Sequence, residues 1–200
     1  MSPESSTLEA VPVATLSLTQ FFLDKLDREA VLIRKTLERV PEGQNEFKPH
    51  DRSMALGYLA SIVAGIPGWL PLMIDRDELN IDDPSSDGFR TKILPNRAAL
   101  LSTFEAGLIA ARRSLAATND QHLLTPWAFR MGGRTIQQQP RNVMIADGVF
   151  SHLAHHRGQL TVYLRLVDST VPALYGPSAD EFNCATACTR IRKSPGEPNN

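Results

Sequence analysis

Cysteine is scarce in this chain of 200 residues, which contains only Cys184 and Cys188. A disulfide framework needs more pairs than this, so the sequence predicts two free thiols in a reducing compartment. Their four-residue spacing would also let them hold a soft metal ion on a helix, and that alternative stays open.

Long apolar runs, a surplus of basic residues and a basic leader are missing as well. No stretch approaches the roughly 18 uninterrupted apolar residues of a membrane span. The 21 basic and 22 acidic residues give a formal net charge of -1, which excludes the broad basic surface of a general nucleic-acid-binding protein. Residues 1–18 are acidic where a signal peptide is basic. We therefore expect a cytoplasmic protein that binds neither membranes nor nucleic acid.

Apolar residues recur every three or four positions over much of the chain, which is the period of amphipathic helices. Ser53 is a plausible N-cap for the second helix, and Pro67 should kink or end that helix. Asn96 opens the third helix, and Pro140 could open the fourth at its first position. The predicted helices cover about residues 16–40, 54–74, 96–118 and 140–167.

The segments between these helices differ in character. "DRDELNIDDPSSDGFR", residues 75–90, is acidic and rich in turn-forming residues, which predicts a surface loop. "TPWAFRMGGRTIQQQP" has short alternating runs on either side of two glycines, which predicts a small hairpin or an extended excursion before the last helix.

Four helices of roughly 20 to 28 residues predict an all-α fold, a four-helix bundle with this hairpin before its last helix. Residues 1–15 show no sustained period and are expected to form a flexible lead-in. The bundle should occupy residues 16–181, and residues 182–200 should form a C-terminal tail. Helical bundles often pair through long helix faces, so we expect a homodimer.

The predicted fourth helix contains "HLAHHRGQL", which holds three of the five histidines of the chain. His152 and His156 are one turn apart, so their imidazoles lie on one face and could share a metal ion. Gln159 and Tyr163 continue that face, whereas His155 points towards a different neighbour. Catalytic zinc sites use about three protein ligands plus water, so two histidines alone are too few. A hydrogen-bonded polar cluster is the alternative interpretation.

The context of this motif resembles a known protein family. "HLAHHRGQLTVYLRLVDSTVPALYGPSADE" resembles the end of the DinB family, with its His-x-x-His-His-Arg-Gly-Gln run and its Pro-x-x-Tyr-Gly-Pro-Ser loop. "LERVPEGQNEFKPHDRSMALGYLA" is similar to the first loop and second helix of that family, and "MGGRTIQQQPR" to its hairpin. The resemblance covers about residues 16–181 and implies a four-helix bundle of the DinB type.

The resemblance also implies a divalent nickel or zinc ion held by three histidines. Two of them match His152 and His156, on the last helix. The third comes from the second helix, where this chain reads "GYLASIVAG" and places Ile62 at the ligand position. Isoleucine cannot coordinate a metal ion, so we expect the affinity for nickel or zinc to fall steeply.

Three residues could replace the missing histidine. His50, in "KPHDR", lies at the mouth of the second helix and is the best alternative imidazole. Asp147 and Glu105 could serve only if their helices face the site.

A pocket is expected around the histidines. Its predicted lining comes from the second and last helices and consists of Tyr58, Ile62, Trp69, His155, Gln159 and Tyr163. We expect a non-catalytic or altered-site bundle that binds a small molecule, which could be a thiol, at a degenerate histidine site. The alternative is a metal-dependent hydrolase or thiol S-transferase-like enzyme that uses His152, His156 and a substitute ligand such as His50.

Overall fold

Most of the chain is helical, and the helices are accompanied by a small sheet. The structure, a computed structural model, describes residues 16–86 and 89–181. The predicted lead-in, the predicted tail and both cysteines lie outside the described residues. The helices are α1 Leu18–Leu37, α2 Leu56–Gly65, α3 Leu70–Asp75, α4 Arg97–Ala117, α5 Asp120–Leu123, α6 Arg141–Ile145 and α7 His152–Leu166. The strands are β1 Glu78–Asn80, β2 Pro126–Met131 and β3 Arg134–Pro140.

Helix α1 is capped both locally and from a distance. The side chain of Ser17 accepts a hydrogen bond from the backbone N–H of Gln20. The carboxylate of Asp120, at the start of α5, accepts from the N–H groups of Leu18 at 2.9 Å and Thr19 at 3.1 Å. The first N–H groups of a helix lack partners within the helix, so this carboxylate ties α5 to the beginning of α1.

The second predicted helix is interrupted where Pro67 falls, as the sequence predicts. Helix α2 ends at Gly65, a 3₁₀ turn covers Ile66–Trp69, and α3 then begins at Leu70. Proline lacks the N–H needed to continue the α-helical hydrogen bonds, so the chain winds more tightly for one turn. The predicted N-cap at Ser53 is wrong.

The structure instead places Ala55 at the cap position of α2, with no side-chain hydrogen bond. The N–H groups at this end pair with the loop before the helix: Leu56 donates to the carbonyl of Phe47, and Gly57 donates to the carbonyl of Asn45. These backbone bonds satisfy N–H groups of the first helical turn that a serine cap would otherwise satisfy.

The segment Leu56–Asp75 is long and apolar enough to cross a membrane by length and composition, with a mean hydropathy of 1.5 in its most apolar window. However, 72% of that window is buried inside the fold. Burial of this extent is typical of a core helix. The segment packs on α4, where a Cβ added to Gly107 would meet the backbone nitrogen of Gly68 at 2.9 Å. Only glycine permits so close an approach.

The sheet has the order β1-β2-β3. Strands β2 and β3 form the predicted hairpin, turned by Gly132 and Gly133 with φ values of +59° and +70°. Strand β1 pairs parallel with β2 and was not predicted, since the segment 75–90 was expected to be a surface loop. The fully buried Leu79 anchors it. The expectation of an all-α fold is therefore corrected by a three-stranded sheet.

The last helical stretch runs from Arg141 to Leu166 through α6, a π-helical segment at Ala146–Ser151 and α7. Pro140, predicted to be the first helical residue, instead lies at the cap position, and Arg141 is the first helical residue. Helix α1 packs on α2, α4 and α7, and α2 packs on α4 and α7. The π segment packs against the 3₁₀ turn Ile66–Trp69, and the apolar core lies between these helices.

Candidate functional site

The site begins at an irregularity of the last helical stretch. The π-helical segment Ala146–Ser151 ends where α7 begins, at His152. A π segment holds one residue more than the matching α turn, and such segments are frequent at functional sites. Gly148 lies within it, and a Cβ at this position would meet Cε of Met73 at 3.0 Å. Glycine at this position therefore keeps this face of the helix open.

His152 and His156, called the histidine pair below, meet through their ring nitrogens. Their Nε2 atoms are 2.7 Å apart, and the ring centroids are 4.6 Å apart. Nδ1 of His156 lies 2.9 Å from Oε1 of Gln159. His156 is buried and His152 half-buried. The structure thus brings together the three polar residues that the sequence places on one face of the helix.

The distance within the histidine pair is that of a hydrogen bond. Two nitrogen ligands of a tetrahedral zinc ion, each about 2.0–2.1 Å from the metal, lie about 3.3 Å apart. A nitrogen–nitrogen distance of 2.7 Å is shorter and fits one ring N–H that donates to the other ring. In this geometry the pair holds a proton between its two Nε2 atoms.

The surroundings favour the neutral form of both imidazoles. Burial lowers the pKa of His152, and the neighbouring His156 lowers it further, while a hydrogen bond with the Gly148 carbonyl acts in the opposite direction. Burial also lowers the pKa of His156, although the bond to Gln159 opposes that effect. Both shifts therefore favour the uncharged form of the rings.

A cavity of about 250 Å³, called the aromatic cavity below, lies beside His152. It is bounded by α3 and the 3₁₀ turn, the sheet and the last helical stretch, and it is open to solvent on one side. The Trp69 ring packs on His152 with centroids 5.3 Å apart, and Phe89 packs on Trp69 at 4.6 Å. The lining residues are Trp69, Met73, Phe89, Trp127, Phe129, Gln137, Met144, Gly148 and His152.

The other residues predicted to line the pocket take different places. Ile62 is buried within the core on α2, and Tyr58 is half-buried against that core. The hydroxyl of Tyr163 donates to the carbonyl of Met54 at 3.1 Å. His155 is exposed and lies beside the pair, with its ring centroid 5.0 Å from that of His156.

The substitute ligands are spread over the molecule. His50 is exposed, and its Nδ1 accepts a hydrogen bond from the N–H of Arg52 at 3.1 Å. Glu105 forms an ion pair with Arg34, and Asp147 is exposed. Within residues 16–86 and 89–181, no three His, Cys, Asp or Glu side chains are grouped so that they could hold a metal ion. The donor set therefore does not fit the three-histidine ion that the resemblance implies.

Sequence reasoning missed most of the cavity wall. Phe89 lies in the segment expected to be a surface loop, and Gln137 lies on β3. Trp127 and Phe129 occupy alternate positions along β2. The one signal in the sequence is this alternation, which places both aromatic side chains on the same face of a strand.

Comparison with known proteins places these features in context. The model of the DinB family matches residues 16–189. The uncharacterized protein YrdA of Bacillus subtilis (strain 168) is 43% identical over 47 residues, a match that covers 24% of this chain and 28% of that protein.

Two solved structures have a similar fold. A DinB-like protein from Bacillus cereus ATCC 10987 superposes with a TM-score of 0.60 at 20% identity, over 77% of this chain and 95% of the other. A DinB-like protein from Bacillus subtilis, YjoA, superposes with a TM-score of 0.58 at 14% identity, over 79% and 99%. At these identities the likeness concerns the fold alone.

Proposed function

Since the chain belongs to the DinB family, we propose that it is a four-helix bundle of the DinB type that binds a small molecule beside an altered histidine site. The observation that carries this proposal is the position of the histidine pair. Its nitrogens satisfy each other at 2.7 Å, and His152 forms part of the wall of the aromatic cavity. A cytoplasmic location and a homodimer stay predictions from the sequence.

The bundle itself would consist of α1, the broken helix α2–α3, α4 and the last helical stretch. Mutual packing of α1, α2, α4 and α7 supports this arrangement. The sheet would then be the excursion that closes one side of the cavity.

The donor set argues against a catalytic metal centre in this member of the family. Ile62, at the position that the resemblance assigns to the third histidine, contributes a buried hydrocarbon side chain. The histidine pair offers two Nε2 atoms to the site. The hydrogen bond between them occupies the lone pair of one of these atoms. Two imidazoles bonded in this way satisfy their buried polar atoms without a cation.

The cavity supports a binding role by its size and its lining. Ligand sites of proteins are commonly about 300–1,000 Å³ and mostly apolar, with few polar groups that orient the ligand. A volume of about 250 Å³, lined by four aromatic side chains, lies just below that range. The ligand should therefore be a compact molecule, and a small thiol is one of the classes to be tested.

Metal stoichiometry tests the proposal directly. Untagged wild-type protein and the variant Ile62→His would be loaded with nickel or zinc, freed of excess by gel filtration and measured by elemental analysis. We expect much less than one ion per chain for the wild type and about one ion for Ile62→His. Ile62→Leu is the matched control, because it keeps a hydrocarbon of equal size.

The double variant Ile62→His with His152→Ala should lose the ion again. A wild-type protein that retains one ion per chain and loses it on His152→Ala would contradict the proposal. That result would favour the metal-dependent hydrolase or thiol S-transferase-like enzyme.

A further inference from the structure

A second cavity, called the α1 cleft below, lies between α1, the last helical stretch and the loop that follows α7. It has a volume of about 270 Å³ and is open to solvent on one side. No described residue lines both this cleft and the aromatic cavity, so the two are separate sites. The lining of the α1 cleft includes Phe21, Phe22, Lys25, Glu29, Phe150, Ala154 and Tyr175.

Four aromatic rings line the α1 cleft. Phe22 and Phe150 are buried and stack nearly parallel, with centroids 5.8 Å apart and an interplanar angle of 2°. Phe21 and Tyr175 are 43% and 70% exposed, so a molecule in the cleft can reach these two rings. An aromatic ligand can stack or pack edge-on against such rings, which favours it over an aliphatic ligand of equal size.

Lys25 brings a positive charge to the cleft. Its Nζ lies 5.3 Å from the ring centroid of Phe150 and 3.7 Å from Oε1 of Glu29, and both of these side chains line the cleft. The Lys25 side chain is 35% exposed, so a ligand can reach it. A distance of 3.7 Å is too long for a hydrogen bond, so the ammonium can turn its N–H donors to a ligand.

Glu29 does not provide a corresponding site for a cation. Its side chain is 7% exposed, and its carboxylate is already bonded to Arg157 and to the hydroxyl of Tyr175. Lys25 and Arg157 carry two positive charges against this single negative charge, and the exposed member of the three is Lys25. We infer that the α1 cleft binds a small aromatic carboxylate, whose ring packs on the exposed rings and whose carboxylate accepts from Nζ of Lys25.

The volume of the cleft sets the size of this ligand. An apolar cavity of about 150 Å³ inside a protein accepts benzene. The α1 cleft, at about 270 Å³, therefore has room for one ring and a short acid side chain. Because the cleft is open on one side, the carboxylate keeps part of its hydration, which reduces the cost of bringing a charge to an apolar wall.

Phenylacetate and phenylacetamide provide a matched pair of probes. The two molecules have nearly the same shape, and only phenylacetate is charged at neutral pH. Titrations followed by nuclear magnetic resonance would give both dissociation constants for the wild type, Lys25→Met and Lys25→Arg. Lys35→Met is the control, because Lys35 is an exposed lysine of α1 that is not part of the cleft lining.

The ratio of the phenylacetamide to the phenylacetate dissociation constant is the quantity to compare. It should be about fivefold larger in the wild type than in Lys25→Met, which is the size expected for a partly exposed charge pair. Lys25→Arg and Lys35→Met should keep a ratio near the wild-type value. Added salt should weaken the binding of phenylacetate and leave that of phenylacetamide nearly unchanged, because salt screens the attraction between exposed charges.

Two further variants locate the bound probe. Ala154→Leu lengthens a side chain of the cleft lining and should weaken the binding of both probes, provided that circular dichroism shows a folded protein. Trp69→Phe changes the aromatic cavity alone and should affect neither probe.

Three results would overturn the inference: no saturable binding of phenylacetate, a ratio that Lys25→Met leaves unchanged, or binding that Trp69→Phe weakens and Ala154→Leu does not. The last result would place the ligand in the aromatic cavity, so the inference would fail while the proposed function stands. Metal stoichiometry tests the altered histidine site separately, and its outcome does not bear on the α1 cleft.

Discussion

Arg157 of α7 and Glu29 of α1 form a buried ion pair on a different face of α7 from the histidine pair. Nη2 of Arg157 is 2.7 Å from Oε2 of Glu29, and the two side chains are 1% and 7% exposed. The hydroxyl of Tyr175 donates to both carboxylate oxygens, at 2.8 and 2.9 Å, and Arg157 donates to the same hydroxyl. The Arg-Gly-Gln run and the Tyr-Gly-Pro-Ser loop of the sequence are joined through this contact.

Loss of one partner of this pair should be strongly destabilising. Arg157→Leu removes the nearer countercharge of the buried Glu29 carboxylate and leaves only Lys25, whose Nζ is 3.7 Å from Oε1. Breaking a buried pair typically costs about 3–5 kcal/mol, and the remaining lysine should place the loss at the lower end of that range. Urea unfolding would measure the loss, and the double variant with Glu29→Leu should cost less than the two single variants combined. Arg112→Leu breaks the exposed pair with Asp27 and is the control, expected to cost about 1 kcal/mol or less. Equal losses for Arg157→Leu and Arg112→Leu would contradict the structural role of the buried pair.

Asp120 should stabilise the protein in a pH-dependent way. Hydrogen bonds from the backbone of Leu18 and then of Thr19 lower the pKa of its carboxyl. A carboxyl whose pKa is lower in the folded state contributes stability above its unfolded pKa of about 3.9, and that contribution is lost as the pH falls through the folded pKa. Asp120→Asn should therefore lower the melting temperature at pH 7.

The difference between Asp120→Asn and the wild type should begin to shrink below about pH 4, where the unfolded carboxyl takes up a proton, and should be lost once the pH falls below the folded-state pKa. Melting curves at a series of pH values would show this convergence. Asp27→Asn removes a carboxylate that only joins an exposed ion pair, and its effect should be small at every pH. A constant difference between Asp120→Asn and wild type down to pH 2 would refute the capping role.

The histidines of the last helix should differ in their structural importance. His156→Ala removes a buried ring and leaves both His152 and Gln159 without their partner, so we expect a loss of about 1–3 kcal/mol. His155→Ala removes an exposed ring and should change the free energy of unfolding by less than about 0.5 kcal/mol. Denaturant unfolding of the two variants provides the comparison, and losses of similar size would argue against the hydrogen-bonded pair.

Two helical glycines should respond to alanine in opposite directions. A Cβ at Gly107 would lie 2.9 Å from the backbone nitrogen of Gly68, which cannot move without displacing the 3₁₀ turn. Gly107→Ala should therefore destabilise the protein by about 1–3 kcal/mol. Gly158 of α7 is exposed and has nothing within 4 Å of an added Cβ, so Gly158→Ala should stabilise by about 0.5–1 kcal/mol. Thermal unfolding measures both, and stabilisation by Gly107→Ala would show that α4 and the turn are not in firm contact.

The features that the sequence predicted depend on local pattern. The helical period, the break at Pro67 and the turn at Gly132 and Gly133 need no knowledge of the rest of the fold. The one-turn spacing of His152 and His156 likewise suffices to place their rings together. These interactions span a few residues, so a single segment contains the information.

The features that the sequence did not predict depend on distant partners. Strand β1 exists because Leu79 is buried and pairs with Phe129, 50 positions along the chain. The carboxylate that caps α1 comes from Asp120, about 100 positions away. The π-helical segment is only six residues long, and its pattern of apolar residues does not distinguish it from an α-helix. The aromatic cavity combines such features. For this reason the sequence predicted only one of its four Trp and Phe lining residues, Trp69, as part of the pocket.

The two irregular helical segments have a joint consequence. The 3₁₀ turn Ile66–Trp69 winds more tightly than an α-helix, the π segment Ala146–Ser151 winds more loosely, and the two are packed together. Each contributes a residue to the cavity wall, Trp69 at the end of one and Gly148 inside the other. One side of the cavity is therefore shaped by the path of the backbone, and side chains of α3, the sheet and the last helical stretch form the rest. Substitutions of those side chains can reshape the space, whereas the wall that the two irregular segments contribute depends on how they wind.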